Sequence, residues 1–439
     1  MTRSTAALLV LICWGAGLLA LALWAARRTH NANDFFLGSR RLGAWFVALS
    51  HAANATPVWL LLAISGAAFV WGLSAIWIWI AVICGYALNG FYVAPRLRLL
   101  SAGQGSITVV QVLSADAGDR MQPLIVRSAA LILSIAMLLE IGAILQVTGT
   151  AFADGFGFDV TTSCISAVLA VVVFTLVGGV WATSAGDIAQ VVILLAVALF
   201  MPLLALMAAD GFEQLQIGFA ALGPATTDWF GGRSGVVAIA FVVGAGGFGF
   251  EIPGQPHALI RFMAARDEQT LRTARWISLL VIALLLGALM VCGWCASVLY
   301  AGLAEPEQAL FAIGERILPG WMSAIITTAL LCTMLTSIGN RLLIVAASLS
   351  ADVKRATSPL SYAWARVVLV LFAILALCFA LYANGSLLDQ SLFAFSALGA
   401  AFGPLLLVRL TGKRVRPGST LGATIWRSEE RRVGKECRS

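Results

Sequence analysis

Two carboxylates stand where carboxylates are costly. Glu140 lies in the apolar run Met137-Leu-Leu-Glu-Ile-Gly-Ala-Ile-Leu-Gln146, and Glu251 within Gly244-Ala-Gly-Gly-Phe-Gly-Phe-Glu-Ile-Pro-Gly-Gln-Pro-His257. An acid inside a membrane span costs about 2.5 kcal/mol or more, so it faces a cavity or a partner. Either acid could hold the ammonium group of a solute, or carry a proton once burial raises its pKa; a structural pairing with a nearby polar group is the plainer role. A third polar feature is Ser50-His-Ala-Ala-Asn-Ala-Thr-Pro57, small and proline-broken at the centre of the apolar stretch 43–72. In hydrocarbon an unpaired backbone group is too expensive to leave open, so such a break sits beside protein or a polar cavity. His51 and His257 flank the two polar stretches, and a packed or backbone-bonded imidazole is expected at each.

The elements that hold these groups follow from composition. The chain has 439 residues, 60% of them hydrophobic and 11% charged, against about 25% charged in a soluble domain. This is an all-α polytopic membrane protein. Apolar windows fall near 5–26, 43–72, 73–94, 125–152, 160–182, 185–209, 235–260, 276–301, 318–350, 361–383 and 388–408. That makes about eleven spans, with a twelfth cut short. The first window lacks cleavable-signal architecture. Arginines and lysines crowd alternate loops, as at Arg40, Arg41, Arg96, Arg98, Arg266, Arg272 and Lys354, while Asp159, Asp210, Asp228 and Glu305 collect on the other side. The positive-inside rule then puts the amino terminus outside a bacterial plasma membrane. The formal net charge of +7 reports topology, and no nucleic-acid partner is expected. The eight cysteines suggest no disulfide framework, and Cys292-Gly-Trp-Cys295 reads as packing within a span. With no metal-ligand cluster, nucleophile motif or P-loop in the loops, an enzyme is not expected.

The second polar stretch, 244–257, carries five glycines and two prolines and reads as a second broken helix. It lies five spans after the first, the arrangement of an inverted-repeat transporter. The expected divisions are residues 1–42, a first helix and loop; 43–209, the first repeat; 235–408, the second repeat; and 409–426, a loop and the start of a truncated span. Residues 427–439, Arg-Ser-Glu-Glu-Arg-Arg-Val-Gly-Lys-Glu-Cys-Arg-Ser, resemble a translated sequencing adapter and are set aside as a non-native tail.

Asp34-Phe-Phe-Leu-Gly-Ser-Arg-Arg-Leu-Gly43, Gly178-Gly179 with Asp187-Ile-Ala-Gln190, and Gly254-Gln-Pro-His257 leading into Arg261-Phe-Met-Ala264 together resemble the sodium:solute symporter family, most of all its sodium/proline branch. The resemblance implies the leucine-transporter type of fold, with inverted five-helix repeats and two broken helices. It implies sodium-coupled uptake of a small organic solute, most simply an amino acid such as proline. Carried onto this chain, it puts sodium between the carbonyls of Ala53 and Thr56 and the hydroxyls of Thr336 and Ser337, with Thr333 as a further position. Neutral oxygens suit a hard cation. Alternatively, these hydroxyls bond only their own helix or a neighbour. Ala55 stands where the sodium/proline branch has an aspartate.

The expected substrate pocket comprises Asn54, Ala55, Pro57, Trp59, Glu140, Phe248, Phe250 and Glu251, of which the resemblance matches Ala55, Glu140 and Phe248 to family positions. Asp187 matches an acidic position where some members bind a second sodium. Arg341 lies in a span and requires a carboxylate, so an Asp187–Arg341 pair is expected, with the guanidinium in the role of a second cation. Snorkelling of Arg341 to the cytoplasm is the other reading. Two further functions stay open: proton coupling through Glu140 or Glu251, and a transporter-like sensor joined to a histidine kinase.

Overall fold

Lipid offers no hydrogen-bond partners, so an apolar chain must satisfy its backbone within itself. The computed structural model describes residues 3–156, 159–300, 303, 306–352, 359–382 and 387–412, and the cut twelfth span and tail expected beyond 412 lie outside them. Among the described residues nine helical stretches are long and apolar enough to cross a membrane. The elements that matter are α1 (Arg3–Ala26), α2 (Ala44–Ala55), α3 (Val58–Trp71), α4 (Ile76–Leu88), α5 (Gly118–Phe156), α6 (Val160–Ala208), α7 (Gly235–Glu251), α8 (Pro256–Met263), α9 (Glu268–Leu299), α10 (Gly320–Ala347), α11 (Pro359–Tyr382) and α12 (Leu387–Leu410).

The spans expected at 160–182 and 185–209 appear as one 49-residue element, α6, interrupted at Gly179 (φ 53°, ψ −141°). A straight helix of that length would reach about 74 Å, more than twice the hydrocarbon thickness. The chain therefore turns back. A Cβ placed on Gly186 would lie 3.3 Å from the Phe174 ring, although twelve helical residues would separate them by about 18 Å. Gly179 is required twice over, by its positive φ and because a Cβ there would meet the Phe35 carbonyl at 2.7 Å.

The first break forms where it was expected. Pro57 has no N–H to give, and α2 ends at Ala55 with Thr56 leaving helical geometry (φ −121°, ψ 61°). The second break is shorter than expected. Residues 244–251 stay helical in α7, and the interruption is confined to a tight turn at Ile252–Gly254 and an extended Gln255 (φ −93°, ψ 101°). Pro256 forces Gln255 out of helical geometry. The glycine-rich run stays helical because propensities measured in water do not transfer to a setting where every backbone bond must be made internally. Gly249 instead lets α7 press against α4: a Cβ on it would lie 2.2 Å from the Ala81 carbonyl.

One turn of α4 and its π-helical continuation (Asn89–Val93) serves both breaks. The Tyr86 hydroxyl donates to the Ala55 carbonyl (2.6 Å), and Asn89 Nδ2 donates to the Ile252 carbonyl (3.2 Å). The unbroken halves α2 and α8 lie side by side, and their far ends are stitched together. Leu42 N–H donates to the Ala264 carbonyl (3.3 Å), and Arg266 N–H donates to the Leu42 carbonyl (3.1 Å). Beside this bridge the Arg40 guanidinium donates to the Met263 carbonyl (2.7 Å), the Ser106 carbonyl (2.8 Å) and both the hydroxyl and carbonyl of Ser101 (3.0 Å each).

Candidate substrate and cation site

Asp187 is the point on which four helices converge. It sits on α6 just beyond the Gly179 reversal and is 1% exposed. Its Oδ2 accepts from Ser50 Oγ (2.5 Å) and Asn54 Nδ2 (2.9 Å) of α2, and from Arg261 Nη2 (3.1 Å) of α8. Its Oδ1 accepts from Asn340 Nδ2 (2.6 Å) of α10. Three of these donors converge on Oδ2, while Oδ1, with one donor, keeps an acceptor position. Arg261 also donates to Asn340 Oδ1 and to Thr183 Oγ1 (3.3 Å).

The expected Asp187–Arg341 pair is not formed; the partners are exchanged. Arg341 Nη2 donates to Glu140 Oε1 of α5, and its Nη1 to the Ser337 carbonyl (3.1 Å). Arg341 is buried rather than snorkelling. The physical reason is helical spacing. Asn340 and Arg341 are about 100° apart around α10, so one faces α6 while the other faces α5. All four charged residues are at most 2% exposed. A buried charge without a partner costs several kcal/mol, so each carboxylate has its own guanidinium.

Glu140 is thus engaged by an ion pair, with Trp59 in hydrogen-bonding reach of its carboxylate and His257 beside it. Among the described residues His257 Nδ1 and Arg341 Nε are buried without a hydrogen-bond partner. Trp59 is 2% exposed and packs edge-on against Phe395, with ring centroids 5.3 Å apart. His257 is within electrostatic reach of both ion pairs. His51 fulfils the plainer expectation: its Nδ1 is 3.1 Å from the Ala258 carbonyl, and its ring lies 4.3 Å from that of Phe262.

The hydroxyl positions on α10 are buried together. Thr336 Oγ1 lies within donating distance of Gln190 Oε1 (2.8 Å) and the Thr333 carbonyl (2.9 Å), and Thr333 Oγ1 donates to the Leu330 carbonyl (2.6 Å). Ser337 contributes its carbonyl to Arg341. In the first break Ala53, Asn54, Ala55 and Thr56 are buried; Thr56 Oγ1 donates to the Ala52 carbonyl (2.9 Å), and Pro57 caps α3. The other pocket residues separate. Phe248 is partly buried against the core, but Phe250 is 75% exposed. Because residues 244–251 remain helical, Phe248 and Phe250 point about 200° apart, and Phe250 turns outward, away from any pocket. Glu251 accepts from Ser396 Oγ (2.8 Å) of α12, outside the cluster around Glu140.

Sequence reasoning passed over Ser50, Gln190, Arg261 and Asn340. Arg261 follows the second break by only a few residues, and from spacing alone it reads as a loop arginine. Signals were present: Asn340 is four residues after Thr336, on the same helical stripe, and Gln190 follows Asp187 by three.

A helix-only membrane fold with two interruptions, buried ion pairs between them and polar side chains aimed inward belongs to a secondary transporter. The sodium:solute symporter profile matches residues 35–425, and the chain belongs to that family. It is a multi-pass, sodium-coupled solute symporter. Among relatives, the high-affinity proline transporter of Bacillus subtilis is 29% identical, with 93% of this chain and 88% of the relative covered. The sodium/proline symporter of Escherichia coli K12 is 26% identical, with 97% and 87% covered. A Na+-coupled sialic acid symporter in a substrate-bound, outward-open state superposes with a TM-score of 0.78 at 18% identity, covering 94% of this chain and 88% of that one. An Eremococcus coleocola manganese transporter superposes with a TM-score of 0.52 at 13% identity, with 91% and 88% covered.

Proposed function

We propose that the chain imports an amino acid, with proline the first to test, together with sodium. The observation that carries this reading is the buried polar cluster around Glu140, between the first break (Trp59) and the second (His257), in which His257 Nδ1 and Arg341 Nε have no partner among the described residues. Buried polar groups are nearly always satisfied, so a small polar solute is the partner this cluster fits. The chain's relatives in Bacillus subtilis and Escherichia coli are named as proline carriers, and the chain covers most of their length.

In this reading sodium occupies neutral oxygens of Thr336, Ser337 and Thr333 with the carbonyls of Ala53 and Thr56. Gln190, already beside Thr336, gives up that contact when the ion enters. At Asp187 the positive charge is supplied by Arg261 in place of a second sodium. Asn54 then serves Asp187, and Ala55, Pro57, Trp59, Glu140 and Phe248 border the solute. Residues 43–209 and 235–408 are the two repeats, and the amino terminus lies outside, with the Arg40 stitch facing the cytoplasm.

The test is uptake of labelled L-proline by the full chain in proteoliposomes, with sodium and proton gradients imposed separately. Sodium alone drives uptake, and Thr336→Ala or Ser337→Ala raises the sodium concentration for half-maximal rate about tenfold, the equivalent of about 1.4 kcal/mol of lost ion binding. Uptake driven by a pH gradient alone, and indifferent to both substitutions, overturns the sodium site.

A further inference from the structure

The Gly179 reversal ends the first half of α6 abruptly, and the last four carbonyls of a helix have no helical partner. Two of them are met from outside. The Thr29 hydroxyl, just past α1, lies 3.3 Å from the Gly178 carbonyl, and Arg366 Nη2 of α11 donates to the Leu176 carbonyl (3.1 Å). α1 and α11 thus both pack on α6. Between them lies an open cleft of about 560 Å³, walled by Ala26 and Thr29, by Leu176 and Val177, and by Arg366 and Leu371. Clefts that hold small molecules span about 300–1,000 Å³. The walls continue the faces that these helices turn outward, where Leu23, Val173 and Leu371 are exposed.

We propose that this cleft binds one anionic phospholipid, with an acyl chain against Val177 and Leu371 and the phosphate at Arg366 and Arg27. The cleft is apolar along its length and basic at one end. Arg366 is exposed at that end. Arg27 is exposed too, and it follows Leu19 and Leu23 at four-residue spacing, which keeps it on the outward stripe of α1. Arg28 is instead turned inward, 4.4 Å from the Trp24 ring and 5.3 Å from the Trp181 ring. Trp364, 43% exposed on α11, marks the depth of the interface, where tryptophan is enriched. In the orientation proposed above this end faces the cytoplasm, where basic pockets between helices meet anionic headgroups. A guanidinium has five N–H donors in a planar fork suited to phosphate, so the Leu176 bond persists when the headgroup docks. A zwitterionic headgroup brings its own ammonium to the arginines, which offsets the gain. The bound chain would rest on Leu176 and Val177, directly before the reversal that carries Asp187 back to α10. The inference is independent of the solute and of the coupling ion.

The experiment supplies the purified full chain, in mild detergent, with equimolar phosphatidylglycerol and phosphatidylcholine and counts retained lipids by native mass spectrometry. One phosphatidylglycerol is retained in preference to phosphatidylcholine. Arg366→Gln and Arg27→Gln each lower that preference about fivefold, the share of one arginine near a lipid surface, and Arg366→Lys keeps it. Leu371→Trp fills the cleft without altering charge and loses the retained lipid. Arg96→Gln removes another exposed arginine, one stacked on Tyr92, and changes nothing. Glycerol 3-phosphate, the headgroup chemistry without chains, fails to displace the lipid. Equal retention of the two lipids overturns the inference. So does an Arg96→Gln effect as large as that of Arg366→Gln, which would mean a diffuse basic surface. Retention unaffected by Leu371→Trp, or displacement by glycerol 3-phosphate, would show that the cleft plays no part.

Discussion

Removing the Asp187 carboxylate leaves the Arg261 guanidinium 2% exposed with no anion in reach of its Nη2. The hydroxyl of Thr183 and amide oxygen of Asn340 remain, and neither carries a countercharge. Breaking a buried pair from one side costs about 3–5 kcal/mol, most of it the stranded charge. Asp187→Ala also frees Ser50, Asn54 and Asn340 to seek other partners, which places it at the upper end of that range. Arg261→Gln strands the carboxylate but leaves it three neutral donors, which places it at the lower end. The double variant removes both charges, so its destabilisation falls short of the sum by at least about 1.5 kcal/mol. The assay is reversible unfolding of the full chain in mixed micelles, with a second cycle pairing Asp187→Ala with Arg341→Gln. The second cycle is additive to within about 0.5 kcal/mol, because Arg341 is bonded to Glu140 instead. Additivity in the first cycle together with strong coupling in the second would refute the pairing.

Three other substitutions probe the scaffold. Tyr86→Phe strips the Ala55 carbonyl of its donor and lowers unfolding free energy by about 1–3 kcal/mol, measured in the same micelles. Arg40→Ala removes the clamp beside the Leu42–Ala265 bridge; the amides of Leu42 and Arg266 then exchange with deuterium about tenfold faster or more, and unchanged exchange would show that the clamp holds nothing. Asp267 caps α9, and the Thr270 amide, with help from Arg266, holds its carboxyl at about 2, below the ordinary 3.8. A folded-state value below the unfolded one means the cap stabilises above pH 3.8 and is lost as pH falls toward 2. Protection of the first-turn amides of α9 therefore differs between wild type and Asp267→Ala at pH 7, and the difference shrinks between pH 4 and 2.

The spans were legible because a bilayer makes one demand over about twenty residues, and hydropathy records it. The first break was legible for a similar reason, since Pro57 beside small polar residues admits few readings. The extent of the second break was misread at 244–251, where glycine content was weighed as if in water; Gly249 is there for the approach of α4 to α7. The pairing of charges was not legible at all. Asp187 and Arg261 are 74 residues apart, and Glu140 and Arg341 are 201 apart. Which carboxylate meets which guanidinium depends on the rotation of α10 about its axis. Sequence spacing gives the relative angles of Thr336, Asn340 and Arg341 but not which neighbour lies at each angle. The reversal at Gly179 decides that, by bringing Asp187 back against Asn340.

The two breaks are not independent defects. Each exposes carbonyls that lipid cannot satisfy, and the donors for both come from Tyr86 and Asn89, three residues apart on one helical face. Any displacement of α4 relative to α2 and α8 would therefore break a hydrogen bond at each break at once, leaving the Ala55 carbonyl without its donor and the Ile252 carbonyl with only the Gln255 amide (3.1 Å), whereas a joint movement of the three would cost neither bond. The stitch between Leu42 and Ala264–Arg266 adds the same constraint at the far ends of α2 and α8. Backbone satisfaction thus makes α2, α8 and α4 one mechanical unit. The charges come from elsewhere: Glu140 from α5, Asp187 from α6 and Arg341 from α10, with Arg261 alone carried by the unit itself. The Asp187–Arg261 bond therefore crosses from the unit to the helices around it, while Glu140–Arg341 lies wholly among those helices. Rocking of the unit would strain the first pair and leave the second intact.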